Sequence, residues 1–329
     1  DAELEYKDKK DISIYTLFEC NNTDQKNLLL DTSDPLYLMI WTTTPWTLPA
    51  NLAVAIHERY TYIIFKQNNR HIICAKEQFK TINELQQTPC KIVKEISGKD
   101  LIGLSYTHPF CDRQGKVVHA DYVTLEDGSG LVHTAPGHGE EDYQTGLKEK
   151  LEIYCPVQAD GTFDKTVPNW LQGLSIWKSN QLIVNHLTES NHLFHAEEFL
   201  HSYPHDWRSK KPVIFRSTEQ WFISVDKPIN SNKKSLREMA LSEIDQNINF
   251  IPGWGKNRLR GMLESRPDWC ISRQRSWGLP IPAFQLPNGK VLLTPTSIKS
   301  VASIIETEGS DAWFKLTPEQ LLVNYNHYI

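Results

Sequence analysis

The sequence predicts a mixed α/β fold that is rich in β-strands, with a β-barrel core and helical insertions. Short strand-like runs of apolar and β-branched residues follow one another closely, and few helical patterns interrupt them. This spacing is typical of barrels. The length of 329 residues, 40% of them hydrophobic and 23% charged, is enough for one to three domains with a sizeable core.

The strands are expected mainly in the first half of the chain. Residues 1–30 are polar and charged, and we expect them to be a lead-in segment. An apolar run at 36–42 predicts a strand. The runs at 60–66 and 71–75 are separated by four polar residues and predict a hairpin. Further strands are expected at 101–107, 116–124 and 130–134.

Two helical patterns are expected, at 140–151 and 179–190. The first opens on acidic residues, which suits the positive end of a helix dipole. The second is expected to begin at Ser179 and to turn three side chains inward: Leu182, Ile183 and Leu187. Farther along, residues 288–289 predict a hairpin turn, and Thr317 before a proline predicts a helix start.

Composition excludes several classes of protein. The net charge of −5 argues against indiscriminate nucleic-acid binding, though not against a local basic patch. The sequence contains no apolar run of about eighteen residues, so no membrane span is predicted. No signal peptide opens the chain. Because the first residue is Asp1 rather than Met, we expect a piece of a longer protein. Six scattered cysteines without a CxxC pair predict reduced thiols in a cytoplasmic protein and no metal site.

The segment from Trp41 to Asn51, WTTTPWTLPAN, ends the first strand in three hydroxyls. These belong to Thr42, Thr43 and Thr44, and the prolines that follow stop any ladder or helix. A strand that ends in hydroxyls presents side chains at a sheet edge, where sites are commonly built. For an isolated threonine run, a plain strand end and turn is the preferred interpretation.

A second segment, DGSGLVHTAPGHGEEDY at 127–143, crowds histidines and carboxylates into a glycine-rich stretch. Its glycines permit tight turns and close backbone approach. Asp142 is either a functional carboxylate or the acidic start of a helix. His133 is either a functional residue or a histidine satisfied in the core. On these residues alone the alternatives are balanced.

Together the two segments resemble the editing domain of isoleucyl-tRNA synthetases, a class I family. WTTTPWTLPAN, and VHTAPGHG followed by an acidic pair and Tyr143, have the isoleucyl form, whereas the valyl and leucyl relatives carry a TTRP pattern. HSYPHDWRSKKPVIFRSTEQWF at 201–222 and RPDWCISRQRSWGLPIP at 266–282 extend the resemblance over about residues 30–285. Some members carry a zinc-binding cysteine pair after HSYPH. This chain has none there, so no metal is expected.

The resemblance implies a β-barrel editing domain inserted into a larger, Rossmann-type nucleotide-binding catalytic domain. It implies a lead-in segment at 1–30, the editing domain at 31–200 and a return connection at 201–250. A partial class I catalytic segment at 251–285 and the start of a second insertion at 286–329 would follow. The ATP-binding signatures HIGH and KMSKS do not occur, nor does Walker A or GxGxxG. The chain is therefore expected to hydrolyse a mischarged product without a cofactor, whereas ATP and Mg belong to the parent enzyme.

The resemblance also implies roles for single residues. Asp142 is expected to bind the ammonium group of valine, and His133 to exclude isoleucine sterically. The hydroxyls of Thr42, Thr43 and Thr44 would place the ester and its attacking water. Substrate contacts are expected from Trp41, Trp46, Asn51, Thr134 and His138, with Trp46 and Asn51 around the terminal adenosine. The expected partners are the acceptor end of tRNA(Ile), mischarged valine and the rest of the synthetase, with no membrane.

Two other functions remain open on the residues. His133, His138 and Asp142 are of the types that bind zinc, which would give a metal-dependent hydrolase. The basic stretch at 251–275 would instead give a non-catalytic tRNA-binding module. A solvated helix face is the usual interpretation of such charges. The basic residues there are Lys256, Arg258, Arg260, Arg266, Arg273 and Arg275.

Overall fold

The computed structural model describes residues 4–21, 24, 28, 34–86, 88, 90–228, 233–273 and 278–325. The chain divides into two compact units, Asp1–Thr218 and Glu219–Ile329. This division falls inside the stretch 201–250, which the sequence suggested as a return connection. Each unit has a hydrophobic core of its own.

The first unit is built on one large β-sheet. Its strands are β1 (Leu4–Cys20), β2 (Leu36–Thr42), β3 (Ala53–Ile56), β4 (Thr61–Gln67), β5 (Arg70–Ala75), β6 (Lys91–Ser97), β7 (Ser105–Thr107), β8 (Gln114–His119), β9 (Val132–Thr134) and β10 (Leu193–Asp206). Its helices are α1 (Phe79–Glu84), α2 (Gly98–Leu101), α3 (Glu140–Glu149) and α4 (Ile176–Glu189), with 3₁₀ helices at Pro45–Ala50 and Lys76–Gln78.

The sheet is mixed and runs in the order β6-β4-β5-β2-β1-β7-β8-β3-β9, with β10 paired to β1. The β2–β5 and β3–β8 ladders are parallel. The mixed α/β fold is confirmed. A closed barrel is not, because no ladder joins β6 to β9 in the described part of the chain. The β3–β9 ladder sets Val54 opposite His133, and so brings the glycine-rich segment beside the chain that follows the threonine run.

β1 is the longest strand and occupies most of the range suggested as a lead-in segment. Its first half is polar and pairs with β10, beginning at Leu4↔Asp206. Its second half pairs with β2 and fully buries Ile14, Leu17 and Phe18. Because the residues of the exposed half are charged, they do not show the hydrophobic alternation from which a strand is predicted.

The other expected strands are present with different bounds. The strand at 36–42 and the hairpin at 60–75 are confirmed as β2 and β4–β5. Of the strands expected at 101–107, 116–124 and 130–134, only the parts that form β7, β8 and β9 are confirmed. The expected lengths were too great because apolar residues continue into the adjoining turns.

Both helices that the sequence predicts in the first unit are confirmed, as α3 and α4, but the start of α4 was misplaced. This helix begins at Ile176 rather than at Ser179. Ile183 and Leu187 are buried as expected, whereas Leu182 is 42% exposed. The buried Ser179 belongs to the inner stripe, and its hydroxyl donates to Ile176 O at 2.8 Å. A stripe that starts at Ile176 turns Leu182 outward.

Gly115 makes room for a buried tyrosine. A Cβ at this position would lie 2.2 Å from the hydroxyl oxygen of Tyr106, which donates to Asn51 Oδ1 at 2.6 Å. We expect Gly115→Ala to displace the ring and to lower the free energy of unfolding by about 1–3 kcal/mol in urea denaturation. Gly261→Ala is the control and should be neutral or slightly stabilising, since nothing lies within 4 Å of its Cβ position. An unchanged midpoint for Gly115→Ala would contradict this account.

The second unit contains shorter elements. They are β11 (Phe222–Ile223), α5 (Leu236–Gln246), α6 (Gly255–Ser265), β12 (Trp269–Cys270), β13 (Phe284–Gln285), β14 (Val291–Leu292), α7 (Pro295–Glu308), α8 (Ala312–Lys315) and α9 (Pro318–Leu321). β11–β12 and β13–β14 are antiparallel pairs, so a Rossmann-type sheet is not confirmed among the described residues. The hairpin turn at 288–289 and the Thr317 cap of α9 are confirmed. None of the helices that the structure describes is long and apolar enough to cross a bilayer.

The basic stretch of the second unit is partly neutralised. Lys256 Nζ lies 3.4 Å from the carboxylate of Asp245. Arg260 contacts the same carboxylate and lies 3.0 Å from that of Glu264. Arg275 lies outside the described residues. These ion pairs reduce the positive charge available to an RNA backbone, so they give little support to a module built for tRNA binding alone.

Candidate active site

The threonine run lies where β2 ends and a buried 3₁₀ helix begins. The backbone N–H of Thr44 donates to Thr42 Oγ1 at 3.0 Å and closes the turn. Pro45 takes the first helical position, where its missing N–H costs nothing. All residues of Pro45–Ala50 are buried. The plain strand end and turn is therefore present, and it holds the hydroxyls on a fixed support.

Hydrogen bonds around His133 determine which of its nitrogens carries the proton. Asn51 Nδ2 donates to the backbone oxygen of Ala53 at 2.8 Å, and a carbonyl can only accept. The same amide nitrogen lies 3.0 Å from His133 Nδ1, which must therefore be an acceptor. The proton of the neutral ring then lies on Nε2, which donates to Thr47 Oγ1 at 2.8 Å. Both ring nitrogens are thus engaged inside the protein.

His133 is neutral at physiological pH. Burial lowers its pKa to about 3, and the neighbouring His138 acts in the same direction. Its side chain is only 7% exposed. A general base needs a free nitrogen with a pKa near the working pH, and a zinc ligand needs a free lone pair. His133 offers neither without breaking a hydrogen bond, whereas a rigid, uncharged ring can serve as a wall.

The donor in each hydrogen bond of the threonine run follows from one bond whose direction is fixed. Thr47 donates to Thr44 O at 2.8 Å, so in its 3.3 Å contact with Thr44 Oγ1 the proton comes from Thr44. Thr42 must then donate in its 3.2 Å contact with Thr44 Oγ1. Among the described residues, the Thr43 hydroxyl alone in the run 42–44 has no hydrogen-bond partner. It is therefore the hydroxyl of the run that can bind water or substrate.

A cleft of about 370 Å³ opens beside the threonine run. Its walls are formed by Trp41, Thr42, Thr43, Tyr122 and Thr124 together with residues 127–132. Gly128 takes a φ of +77°, and a Cβ there would meet the ring of Trp41 at 3.0 Å. Only glycine satisfies both conditions without strain. The glycine-rich stretch is thus a wall of the cleft, and His133 directly follows its last residue, Val132.

Asp142 lies in the first turn of α3 and faces the preceding loop. Its Oδ1 accepts from the hydroxyl of Tyr122 at 2.9 Å, and its Oδ2 accepts from Ala135 N–H at 2.8 Å. Neither donor belongs to α3, so Asp142 is more than a helix-start carboxylate. Burial raises its pKa, while the two hydrogen bonds act in the opposite direction. The cleft-lining Tyr122 connects this carboxylate to the cleft.

The expected substrate contacts fall into different places. Trp41 lines the cleft, whereas Asn51 and Thr134 are buried in the core. Trp46 is also buried, and its ring meets His138 edge to face, with the centroids 5.2 Å apart. His138 borders a second hollow, of about 260 Å³. Contact of these residues with the substrate, and of Trp46 and Asn51 with its terminal adenosine, stays a prediction.

The side chains proposed as zinc ligands do not assemble as a site. His133 would have to give up a hydrogen bond before it could bind a metal, because its Nδ1 lone pair accepts from Asn51 and its Nε2 donates to Thr47. Across the stretches that the structure describes, no three His, Cys, Asp or Glu side chains converge as a metal site would require.

Three residues of this network were not indicated by the sequence. Thr47 lies within the threonine-rich motif and could have been included for that reason. Tyr106 and Tyr122 are tyrosines in strand and loop sequence, and no local pattern distinguishes them from core aromatics. Only the fold brings them to Asn51 and Asp142.

Comparisons with known proteins agree with the resemblance that the threonine run and the glycine-rich stretch indicated. The family described as tRNA synthetases class I (I, L, M and V) matches residues 1–328. Isoleucine–tRNA ligases from Sulfurihydrogenibium sp. and Persephonella marina are 45% and 43% identical over 325 residues, 98% of this chain. The chain spans 33% and 34% of their lengths, about a third. The solved editing domain of the P. knowlesi cytosolic leucyl-tRNA synthetase is 10% identical, with a TM-score of 0.45 over 59% of this chain and 97% of that one.

Proposed function

Since the chain belongs to the class I tRNA synthetases of the isoleucine, leucine, methionine and valine group, we propose that it is the editing part of an isoleucyl-tRNA synthetase. In this proposal it hydrolyses valine attached to tRNA(Ile). One observation carries the proposal: the free hydroxyl of Thr43 and the side chain of Tyr122 line one cleft, Tyr122 donates to Asp142, and the neutral His133 directly follows the lining residue Val132. Selective ester hydrolysis needs a hydroxyl to place water, a carboxylate to bind the ammonium group and a rigid side chain to exclude the larger substrate.

Asp142 binds the ammonium group of the valyl ester in this mechanism. Each of its oxygens accepts one internal hydrogen bond and keeps further acceptor capacity for the N–H groups of an ammonium. A charge-assisted bond of this kind is short and strong. It fixes the α-carbon of the substrate, and thereby the position of the carbonyl carbon next to it.

A water molecule placed by the Thr43 hydroxyl attacks that carbonyl carbon. The bond from the carbonyl carbon to the ribose oxygen then breaks, and the ribose oxygen takes up the proton that the water loses. No base lies in hydrogen-bond contact with Thr43 in the described part of the chain, and His133 has no free nitrogen. Direct attack by water therefore suits the site better than a covalent threonyl intermediate.

His133 provides the selectivity. A synthetic site for isoleucine cannot strongly reject valine, which is one methylene smaller, and isoleucyl-tRNA synthetase is itself the standard example of this limit. A second site that admits valine and excludes isoleucine must have a wall that does not yield. Hydrogen bonds on both nitrogens hold the His133 ring against rotation, and close packing prevents its displacement.

The remaining parts of the proposal concern the parent enzyme. Charging tRNA with isoleucine uses ATP and Mg, and these belong to the rest of the synthetase, whereas editing in this chain needs no cofactor. The partners are the acceptor end of tRNA(Ile) and the remainder of the synthetase, in the cytoplasm.

Incubation of the chain with valyl-tRNA(Ile), without ATP, tests the proposal. We expect release of valine above the spontaneous rate, because the cleft and the residues next to it supply the groups that ester hydrolysis requires. We expect no ATP–pyrophosphate exchange with isoleucine, because the ATP-binding signatures do not occur in the sequence. Insensitivity to a chelator would separate this activity from that of a metal-dependent hydrolase. Stable tRNA binding without release of valine would favour a non-catalytic module instead.

A further inference from the structure

We propose that Tyr122 is a positioning residue for this reaction: its hydroxyl holds the Asp142 carboxylate in the orientation that receives the substrate ammonium. The proposal rests on the proposed function and deepens it, because it assigns the residue that prepares the binding group. Tyr122 itself lines the cleft, and its hydroxyl contacts the carboxylate.

Two donors from different segments fix the plane of the Asp142 carboxylate. The Tyr122 hydroxyl holds Oδ1 at 2.9 Å, and Ala135 N–H holds Oδ2 at 2.8 Å. With the second donor alone, the carboxylate could still turn about its terminal torsion, which is a soft one. Gly139 permits this placement of the carboxylate, because a Cβ at that position would lie 3.1 Å from Asp142 Cγ. Tyr122 therefore removes the remaining freedom.

Tyr122 is a permanent donor. Burial raises its pKa far above the usual range for tyrosine, and the charge of Asp142 acts in the same direction. The hydroxyl therefore keeps its proton at every pH at which the chain would be used. A lysine in this place would neutralise the carboxylate as a salt bridge and compete with the substrate ammonium. A neutral hydroxyl orients the carboxylate without cancelling its charge.

The charge of Asp142 depends on the same hydrogen bonds. Burial raises the pKa of Asp142, and the neighbouring Glu141 raises it further. The Ala135 N–H and the Tyr122 hydroxyl lower it, and no side-chain cation takes part. Removing the hydroxyl should therefore raise the pKa of Asp142, so that the carboxylate loses its charge at a higher pH than before.

The alternative is that Tyr122 contributes only packing. Its ring lies against a small cluster of buried residues that includes Ala53, Val118 and Val123. Tyr122→Phe keeps the ring and removes only the hydroxyl, so it separates the two roles. The matched control is Tyr154→Phe, since the Tyr154 hydroxyl contacts Thr166 on the exposed surface at 2.6 Å and does not reach Asp142.

The test measures valyl-tRNA(Ile) deacylation against pH for the unmodified chain, Tyr122→Phe and Tyr154→Phe. For Tyr122→Phe we expect a loss of about ten- to a hundredfold near neutral pH. The acid limb of its profile should move to higher pH, while the unfolding temperature stays close to that of the unmodified chain. Tyr154→Phe should leave both the rate and the profile unchanged. A Tyr122→Phe variant with the unmodified rate and profile would overturn the proposal.

Two further measurements separate failure of this inference from failure of the proposed function. In an Asp142→Asn background, Tyr122→Phe should cause no additional loss, because the group that it positions is already gone. NMR titration of the Asp142 carboxyl reports its pKa whether or not the chain deacylates, and Tyr122→Phe should raise that pKa. An active chain whose Asp142 pKa does not respond to Tyr122→Phe refutes the positioning role alone. An unmodified chain without deacylation refutes the proposed function, and the positioning role with it.

Discussion

Asp142→Asn is expected to lower deacylation of valyl-tRNA(Ile) about a hundredfold while the chain remains folded. The amide keeps the shape of the carboxylate and can still accept from Ala135 N–H, but it has no charge for the ammonium group. Losing one partner of a desolvated, hydrogen-bonded charge pair costs about 2–5 kcal/mol, and a hundredfold in rate lies within this range. Initial rates of valine release measure the effect.

The same substitution should not weaken the fold at neutral pH. Burial raises the pKa of Asp142 in the folded chain above its unfolded value. Such a group stabilises the fold below the unfolded pKa, and this contribution is lost as the pH rises through the folded pKa. At neutral pH the ionised carboxylate therefore costs stability, so Asp142→Asn should unfold at the same temperature as the unmodified chain or higher. Any such gain should shrink when unfolding is repeated at acid pH.

Glu141→Gln is the matched control for this prediction. It removes a charge from the same helical turn, but from an exposed side chain. Deacylation should change by no more than roughly twofold, since exposed charges act weakly. If Asp142→Asn deacylates at the normal rate, the ammonium role is wrong and the carboxylate serves only the loop.

His133→Ala is expected to change selectivity more than rate. If His133 is the wall, removing its ring opens space for the extra methylene, so isoleucyl-tRNA(Ile), which we expect the unmodified chain to spare, should become a substrate. Rejection of one methylene corresponds to about ten- to two-hundredfold, and the ratio of isoleucyl to valyl hydrolysis should rise by about that factor. A general base would instead lower both rates, by about 10²–10⁴-fold. The pKa of about 3 already argues against this role near neutral pH.

His108→Ala is the control for loss of a buried histidine. Burial lowers the pKa of His108 to about 3 as well, and its Nε2 lies 2.9 Å from Leu48 O. Both variants should lose stability, about 1–3 kcal/mol each, because they leave buried partners unpaired. Only His133→Ala should alter the substrate ratio. A ratio that stays the same for both variants removes His133 from the selectivity mechanism, whatever the absolute rates.

The sequence predicts the strand-based part of the fold well and its closure poorly. Runs such as 36–42 have a length and pattern that fit few other structures, and β2 confirms that prediction. Whether a sheet closes depends on which strands meet across the molecule, and no local pattern encodes this. The polar first half of β1 shows the same limit, because its pairing with β10 uses backbone hydrogen bonds that charged residues can make as well as apolar ones.

The candidate site divides in a similar way. The threonine run and the glycine-rich segment could be found because unusual residues are adjacent in the chain. The distinction of Thr43 from its two neighbours could not, because it depends on hydrogen bonds within the turn, and neither could the role of Tyr122, which follows from a hydrogen bond to a residue distant in sequence. Of three neighbouring threonine hydroxyls, the structure shows that two are engaged within the turn. The sequence alone does not show which of the three hydroxyls is free, because the direction of each side chain depends on the local backbone.

The pairing of β1 with β10 has a consequence for how such a unit can be transplanted. Leu4 lies opposite Asp206, so the chain enters and leaves the sheet side by side, roughly 5 Å apart. A host protein that carries the unit needs a gap no wider than a hairpin turn, and the loop-closure entropy of the host changes little. The two adjacent strand ends can take the place of a surface hairpin turn, because both span the same short gap. Grafting residues 4–206 into a hairpin loop of an unrelated protein should therefore leave the host fold intact, whereas the grafted unit loses the contacts of residues 207–218, such as that from Ser217 N–H to Gly137 O.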